Sequence, residues 1–164
     1  MTIFPKITTL NDSYLAELGR LVAHFAILEN TVVAAIQGLL KCPREECLTI
    51  CCERSFRNLL DLASSLAKQS LTAQQPLLGE FDAMIHRAQA LEDRRNSFVH
   101  SIYGMKPTGV AVRSKTTAKR KRGLHTTHES IEPATITSVA MEIAVLAGEM
   151  EAFLQKHGFG RGWI

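Results

Sequence analysis

The residues best suited to chemistry lie at positions 95–100, which have the sequence RNSFVH. Histidine titrates near neutral pH and can transfer protons, and arginine offers a planar set of donors that suits phosphate oxygens. Asn96 and His100 are four residues apart, so both lie on one helical face, where the Asn96 amide can orient the imidazole or donate to phosphate. We therefore predict a catalytic group in which His100 transfers protons, Arg95 holds the phosphate and Asn96 is the orienting donor.

The chemistry that this group suits is cleavage of RNA through its own 2′-hydroxyl. That reaction needs a group that removes the hydroxyl proton, a group that protonates the departing oxygen, and donors around the phosphorane. Histidine, arginine and asparagine supply these functions without a metal ion or an organic cofactor, and we predict neither.

The spacing from arginine to histidine has little weight by itself. In a chain with many arginines and 6 histidines, a gap of four to six residues predicts about one match by chance. Arg120 with His125 and Arg122 with His128 fit the spacing too. What distinguishes Arg95 is its context, because an asparagine follows it directly and the pair lies at the end of a predicted long helix.

Apolar residues recur at helical spacing over four long stretches, which predict four helices. Asn11, Asp12 and Ser13 are N-cap candidates for the first helix, which reaches Leu40, and Pro43 separates it from the second. The other predicted helices cover residues 44–69, 76–100 and 133–157. Long helices joined by short connections favour an all-α fold, an antiparallel four-helix bundle.

Between the third and fourth predicted helices the sequence loses its helical period. Short apolar runs at 102–103 and 110–112, with a turn at 106–109, predict a short β-hairpin. Residues 113–130 have few apolar side chains, so we predict a flexible basic loop before the last helix. The whole chain, residues 1–164, is predicted to form a single domain.

Positive charge is concentrated in this predicted loop. Positions 113–122 hold six basic residues and no acidic one, and removing these six from the 19 basic residues leaves 13 against 16 acidic residues in the rest of the chain. Such a loop attracts a polyanion, here RNA, although a solvated loop that binds nothing specific explains the same composition. The predicted RNA-binding residues are Arg113, Lys115, Lys119, Arg120, Lys121 and Arg122.

The composition, 46% hydrophobic and 21% charged, is typical of a globular protein. The first ten residues do not resemble a secretory signal, and the longest uncharged apolar run, residues 31–40, is too short to span a bilayer. We therefore predict a cytoplasmic protein with no membrane association. The four cysteines are interpreted as reduced thiols because they lie in one short region: Cys42, Cys47, Cys51 and Cys52.

Residues 95–100 resemble the hallmark motif of the HEPN superfamily of small helical proteins. Their position near the end of a late helix and the predicted helical bundle also resemble that family. The hallmark of that family is an arginine, usually followed by a polar residue, with a histidine a few residues later. The resemblance implies a metal-independent endoribonuclease of toxin or phage-defence type, whose active site forms where two protomers pair. It implies RNA as substrate, a homodimer and, for a toxin, a cognate antitoxin.

Several interpretations of individual residues stay open at this stage. Arg94 also fits the spacing to His100 and is a reserve candidate, with Glu92 as a further one. Arg95 can instead form a surface ion pair with Glu92 or Asp93, and His100 can cap the helix C-terminus.

Helix geometry favours a site shared between chains. At about 100° per residue, Arg95 and His100 are roughly 140° apart around one straight helix, so one helix does not direct both at one atom. Either the helix frays near His100, or a symmetry-related chain supplies a second arginine and histidine. The alternative function is a non-catalytic HEPN-like module that binds a nucleotide, RNA or a partner protein and uses Arg95 structurally.

Overall fold

A computed structural model describes residues 10–119 and 123–159. These residues fold into five helices and a three-stranded antiparallel sheet. In chain order the elements are α1 (Asp12–Leu40), α2 (Arg44–Cys51), α3 (Phe56–Ser70), α4 (Gln75–Val99), β1 (Ile102–Met105), β2 (Ala111–Lys119), β3 (Gly123–Ile131) and α5 (Pro133–Lys156). The prediction of a mostly helical chain is confirmed, and the sheet before the last helix has three strands.

The ends of the long helices follow from the local sequence. The Asn11 side chain accepts a hydrogen bond from the Tyr14 amide at 3.3 Å and caps α1 as predicted. Lys41 ends α1 in a left-handed conformation, with φ 54°. α4 ends at Val99 and α5 ends at Lys156, each within one residue of the predicted boundary.

The prediction of one helix over residues 44–69 is wrong, because two helices, α2 and α3, cover this range. Residues 52–55 separate α2 from α3, and the Ser55 side chain accepts a hydrogen bond from the Asn58 amide at 3.3 Å. This serine cap starts a new helix in place of continuing the old one. Leu48 in α2 and Cys52 at its C-terminal end are exposed.

The four longer helices do not all alternate in direction. α4 is antiparallel to both of its neighbours, as shown by the pairs Arg57–Asp93 and Ser64–Asp82 with α3, and Arg94–Glu142 and Arg87–Glu149 with α5. α1 and α5 are parallel, as shown by the pairs Glu17–Thr137, His24–Ala140 and Gly38–Phe159. The prediction of an all-antiparallel bundle is wrong for α1 with α5 and for α1 with α3, since α3 runs opposite to α4 and therefore in the direction of α5 and α1.

The short helix α2 explains how α3 can follow α1 in the chain and still run in the same direction. The Cys47 thiol donates to the Val33 carbonyl at 3.6 Å, so α2 packs back along the last turns of α1. The chain reverses once more before Phe56, whose ring packs against Phe25 in the middle of α1, with ring centres 4.7 Å apart. α3 can therefore run in the same direction as α1.

The three strands form an antiparallel meander with β2 in the centre. β1 pairs with the first part of β2, and Met105 lies opposite Ala111. In the turn between them Gly109 has φ 81°, and the Lys106 amide donates to the Val110 carbonyl at 2.9 Å. The predicted short hairpin is confirmed.

The prediction of a flexible loop at residues 113–130 is wrong over the described part of that range. β2 and β3 pair from Ala111 opposite Ile131 to Lys119 opposite Gly123. β-Branched threonines favour strands, and two pairs of them occur at 116–117 and 126–127. β3 is exposed at every position before Ile131, so its sequence lacks the alternating apolar pattern of a half-buried strand. We call residues 115–119 and 123–127, which extend beyond β1, the arm.

Tyr14 attaches the sheet to the start of α1. Its side chain is buried, and its hydroxyl donates to the Ile131 carbonyl at 2.8 Å and accepts from the Ala111 amide at 3.2 Å. Because these two backbone groups are opposite each other on β2 and β3, one hydroxyl fixes both strands to the core.

Replacing Tyr14 with phenylalanine should lower the free energy of unfolding by about 1–3 kcal/mol, because a buried N–H and a buried C=O lose their partner. The ring and its packing are kept in this variant. Urea denaturation followed by circular dichroism measures the change. Equal urea midpoints for the variant and the wild type would contradict a stabilising role of the Tyr14 hydroxyl.

Among the helices of the described residues, α1 alone has the length and the apolar composition of a membrane-spanning helix. In the structure one face of α1 lies in the core, where Leu21, Leu28 and Ile36 are fully buried, whereas Leu15, Val22 and Ile27 on α1 are exposed.

Candidate active site

Arg95 lies near the end of α4 and extends across Phe25 of α1. Its Cζ atom is 4.7 Å from the centre of the Phe25 ring, and its Nη1 donates to the Asn96 Oδ1 at 2.8 Å. Its buried Nε has no hydrogen-bond partner, and no carboxylate in the described residues pairs with the guanidinium. A half-buried arginine whose charge is not neutralised is suited to binding an anion.

The carboxylates next to Arg95 belong to a different ion pair. Arg57 of α3 donates to Asp93 at 3.0 Å, and its Nε lies 3.5 Å from the Glu92 Oε2. The structure therefore does not show the surface ion pair of Arg95 with Glu92 or Asp93. Glu92, the further candidate, is directed at α3, with its side chain 12% exposed.

Arg94, the reserve candidate, is paired with α5. Both of its terminal nitrogens donate to Glu142, and the bond from Nη2 to Oε1 measures 2.9 Å. The hydrogen bond from Arg94 holds the pKa of the Glu142 carboxyl below its ordinary value. Because this guanidinium already has an anion, Arg95 is the better phosphate-binding candidate.

Replacing Arg94 with glutamine should lower the free energy of unfolding by less than about 1 kcal/mol at neutral pH, because the pair is exposed. The pair depresses the folded-state pKa of Glu142, so its contribution is present above the unfolded-state pKa and is lost as the pH falls and Glu142 is protonated. Urea denaturation at neutral and acidic pH checks this, and an equal change in the urea midpoint at both pH values would contradict it.

His100 occupies the C-cap position of α4, as one of the open interpretations anticipated. Its amide donates to the Asn96 carbonyl at 3.1 Å, and its backbone leaves the helical conformation, with φ −99° and ψ 23°. The side chain is exposed, and within residues 10–119 and 123–159 no group hydrogen-bonds to the imidazole. The ring is therefore open to a substrate, but no bond joins it to Arg95 in one chain.

The sheet supports this end of α4. The Tyr103 hydroxyl donates to the Phe98 carbonyl at 2.8 Å, and the Ser101 hydroxyl donates to the Ser97 carbonyl at 2.6 Å. Both carbonyls belong to the last turn, which has too few helical donors of its own. Burial raises the pKa of Tyr103 to about 12, so its hydroxyl stays protonated and keeps donating at neutral pH.

Arg113 of β2 joins the sheet to the same helix end. Its Nη1 donates to the Ser97 carbonyl at 3.1 Å and to the Ser97 hydroxyl at 3.0 Å, and its Nη2 donates to Glu129 of β3 at 2.5 Å. The Cζ atom is 4.7 Å from the centre of the Phe98 ring, and the side chain is 15% exposed. Although the sequence predicts Arg113 as an RNA contact, its guanidinium is already bonded to protein groups.

The other predicted RNA-binding residues lie on or next to the arm. Lys115 is on the same face of β2 as Arg113 and is opposite Thr127 of β3. The side chain of Lys119 lies outside the described residues, and so do the three basic residues that follow it: Arg120, Lys121 and Arg122.

Sequence reasoning missed two contacts that need tertiary structure. Phe25, which the Arg95 guanidinium covers, lies on a different helix far earlier in the chain. Ser114 and His128 face each other across β2 and β3, with the Ser114 Oγ 2.8 Å from the His128 Nδ1. The paired threonines of the arm are a signal for this second contact, because they favour strands over a loop.

The cysteines and acidic residues do not assemble a metal centre in the part of the chain that the structure describes. All four cysteines are free. The sulfur atoms of Cys47 and Cys51 are 3.9 Å apart, and burial raises the pKa of Cys47 to about 12. The Cys47 thiol is therefore protonated at neutral pH, and the two buried cysteines serve as small apolar side chains.

Compared with protein-family models, with curated proteins and with solved structures, the chain matches none. Its function therefore has to be argued from the residues at the end of α4 and their surroundings.

Proposed function

We propose that this chain is a metal-independent endoribonuclease of the HEPN type that cleaves RNA through its own 2′-hydroxyl. His100 transfers protons, and the Arg95 guanidinium binds the phosphate at the cleaved bond. Asn96 accepts from Arg95 through its carbonyl oxygen at 2.8 Å, which orients the guanidinium and leaves its NH₂ group able to donate. The observation that carries the proposal is an arginine that pairs with no carboxylate of the described residues, five residues before an exposed histidine at a helix end.

The packing of the helices supports the proposal at the level of architecture. α1, α3, α4 and α5 share one hydrophobic core, in keeping with the helical bundle that the resemblance implies. The sheet inserted between α4 and α5 adds a basic arm next to the helix end that carries His100.

The proposal includes a homodimer. In one chain Arg95 extends over Phe25 toward α1, whereas His100 lies beyond the end of the helix and is exposed. A twofold axis places identical helix ends face to face, so that each active site can combine groups from both chains. A cytoplasmic location and a cognate antitoxin as partner belong to the same proposal.

The test is RNA cleavage in the presence of EDTA. Purified wild-type protein should cleave total cellular RNA and leave 2′,3′-cyclic phosphate ends, which end-group analysis detects. The Arg95→Ala and His100→Ala variants, purified in the same way, should be inactive. If the wild type cleaves no RNA in this assay, or if both variants cleave as it does, the ribonuclease proposal is wrong.

The alternative is a non-catalytic HEPN-like module that binds a nucleotide, RNA or a partner protein. The observation that favours it is the lack of any bond between Arg95 and His100 in one chain. In that case Arg95→Ala should lower the melting temperature with no activity to lose, and removing basic residues from the arm should change only salt-dependent binding.

A further inference from the structure

The contacts of Arg113 assign it a task other than binding RNA. We propose that Arg113 is a positioning residue, which fixes the end of α4, and with it His100, relative to the arm. RNA held by the arm then meets the active site in a fixed register. The kinetic consequences of this inference rest on the proposed ribonuclease function, whereas its structural consequences do not.

The first argument is the orientation of the guanidinium. One nitrogen of Arg113 donates to both oxygens of Ser97, and the group stacks on the ring of Phe98. The Ser97 hydroxyl in turn donates to the Arg94 carbonyl at 2.6 Å, so the bonded oxygens belong to the last turns of α4. A planar group that is bonded at its edge and stacked on its face has one orientation, and it therefore fixes the backbone around Ser97.

The second argument is a row of residues that crosses the sheet. Arg113 lies opposite Tyr103 of β1 and opposite Glu129 of β3. Tyr103 donates to the Phe98 carbonyl, and Glu129 accepts from Arg113. All three strands are thereby attached to the last turn of α4. His100 comes directly after that turn, and its side chain bonds to none of the described residues, so this row fixes the backbone that carries the imidazole.

The third argument is the contrast with Lys115. A basic residue that contacts phosphate needs an unpaired charge, and Lys115 lies opposite Thr127 and forms no ion pair with the described residues. Arg113 has the opposite character, since its side chain is 15% exposed and already paired with Glu129. Two basic residues on one face of one strand therefore have different roles.

The experiment compares Arg113→Lys with Lys115→Gln. The first keeps the charge but removes the planar fork of donors, and the second removes a charge from the same strand without touching α4. We expect Arg113→Lys to lower kcat by about 10- to 100-fold with little change in KM, because the site is misplaced. Lys115→Gln should raise KM and leave kcat unchanged. If Arg113 were a simple phosphate contact, Arg113→Lys would cleave as the wild type does.

A second measurement does not depend on activity. In ¹⁵N-labelled protein the imidazole signals of His100 should shift in Arg113→Lys and stay in place in Lys115→Gln. Ser97→Ala, which removes one acceptor of Arg113, should shift them in the same way if Arg113→Lys does not fold. If the wild type does not cleave RNA, the proposed function fails and these spectra still decide the role of Arg113. Unchanged His100 signals in Arg113→Lys and in Ser97→Ala would overturn the inference.

Discussion

Replacing His100 with alanine should reduce RNA cleavage by about 10²- to 10⁴-fold, the usual contribution of a positioned acid–base group. The side chain is exposed and makes no hydrogen bond with the described residues, so its removal leaves no buried polar group without a partner. The loss should therefore appear in kcat, while the circular dichroism spectrum and the melting temperature stay at wild-type values. Single-turnover cleavage of a defined RNA in EDTA measures it.

His86→Ala is the matched control for this prediction. His86 is an exposed histidine on the same helix, outside the last turns that carry the candidate site. Its removal should leave cleavage unchanged. Full activity in His100→Ala would exclude His100 as the proton-transfer group, and an equal loss in His86→Ala would show that the effect is not specific to the helix end.

Replacing Arg95 with methionine should abolish cleavage and leave the free energy of unfolding within about 1 kcal/mol of the wild-type value. The buried Nε–H without a partner costs about 1–3 kcal/mol, which offsets the loss of the stacking on Phe25, about 0.5–1 kcal/mol, and of the hydrogen bond to Asn96, about 0.5–1.5 kcal/mol. Methionine is flexible enough to fill the same space over the ring and needs no hydrogen bond. Urea denaturation and the cleavage assay measure the two effects on one protein preparation.

Arg57→Met is the control that should show the reverse. Arg57 pairs with Asp93 and contacts the nearly buried carboxylate of Glu92, so its loss leaves a negative charge unpaired next to the core. This variant should lose stability and keep cleavage. If Arg95→Met instead loses stability as Arg57→Met does, the guanidinium of Arg95 is structural and the non-catalytic alternative is favoured.

The helices were predictable because their signals are local. Asn11 caps α1 through its own side chain, and the apolar period of α4 and α5 continues almost to the observed ends. The break before Phe56 was missed because a serine is a weak signal inside an otherwise helical pattern. The arm was missed because its strands are solvent exposed, so the hydrophobic pattern that identifies a strand is absent.

The sequence predicts Arg95, Asn96 and His100 as site residues, but it does not reveal whether Arg94 or Arg95 can bind a phosphate. That distinction depends on contacts from other helices. Glu142 of α5 pairs with Arg94, whereas no acidic residue among those described pairs with Arg95. Such contacts join residues far apart in the chain, and periodicity within one helix contains no information about them. The dimer stays a prediction for the same reason.

The helices α1 and α5 pack in parallel although they are far apart in the sequence, and this separation limits the order in which the parts of the protein can fold. Hydrogen bonds that join these parts of the chain, from Tyr14 to Ile131 and between His24 and Ala140, span 117 and 116 residues. During translation α1 leaves the ribosome first, and it has no partner for that part of its apolar surface until α5 has followed. A nascent chain therefore contains the whole RNSFVH sequence well before it has a folded core. Under the proposed function, such a ribonuclease can gain its active site only after α5 has been synthesised and packed.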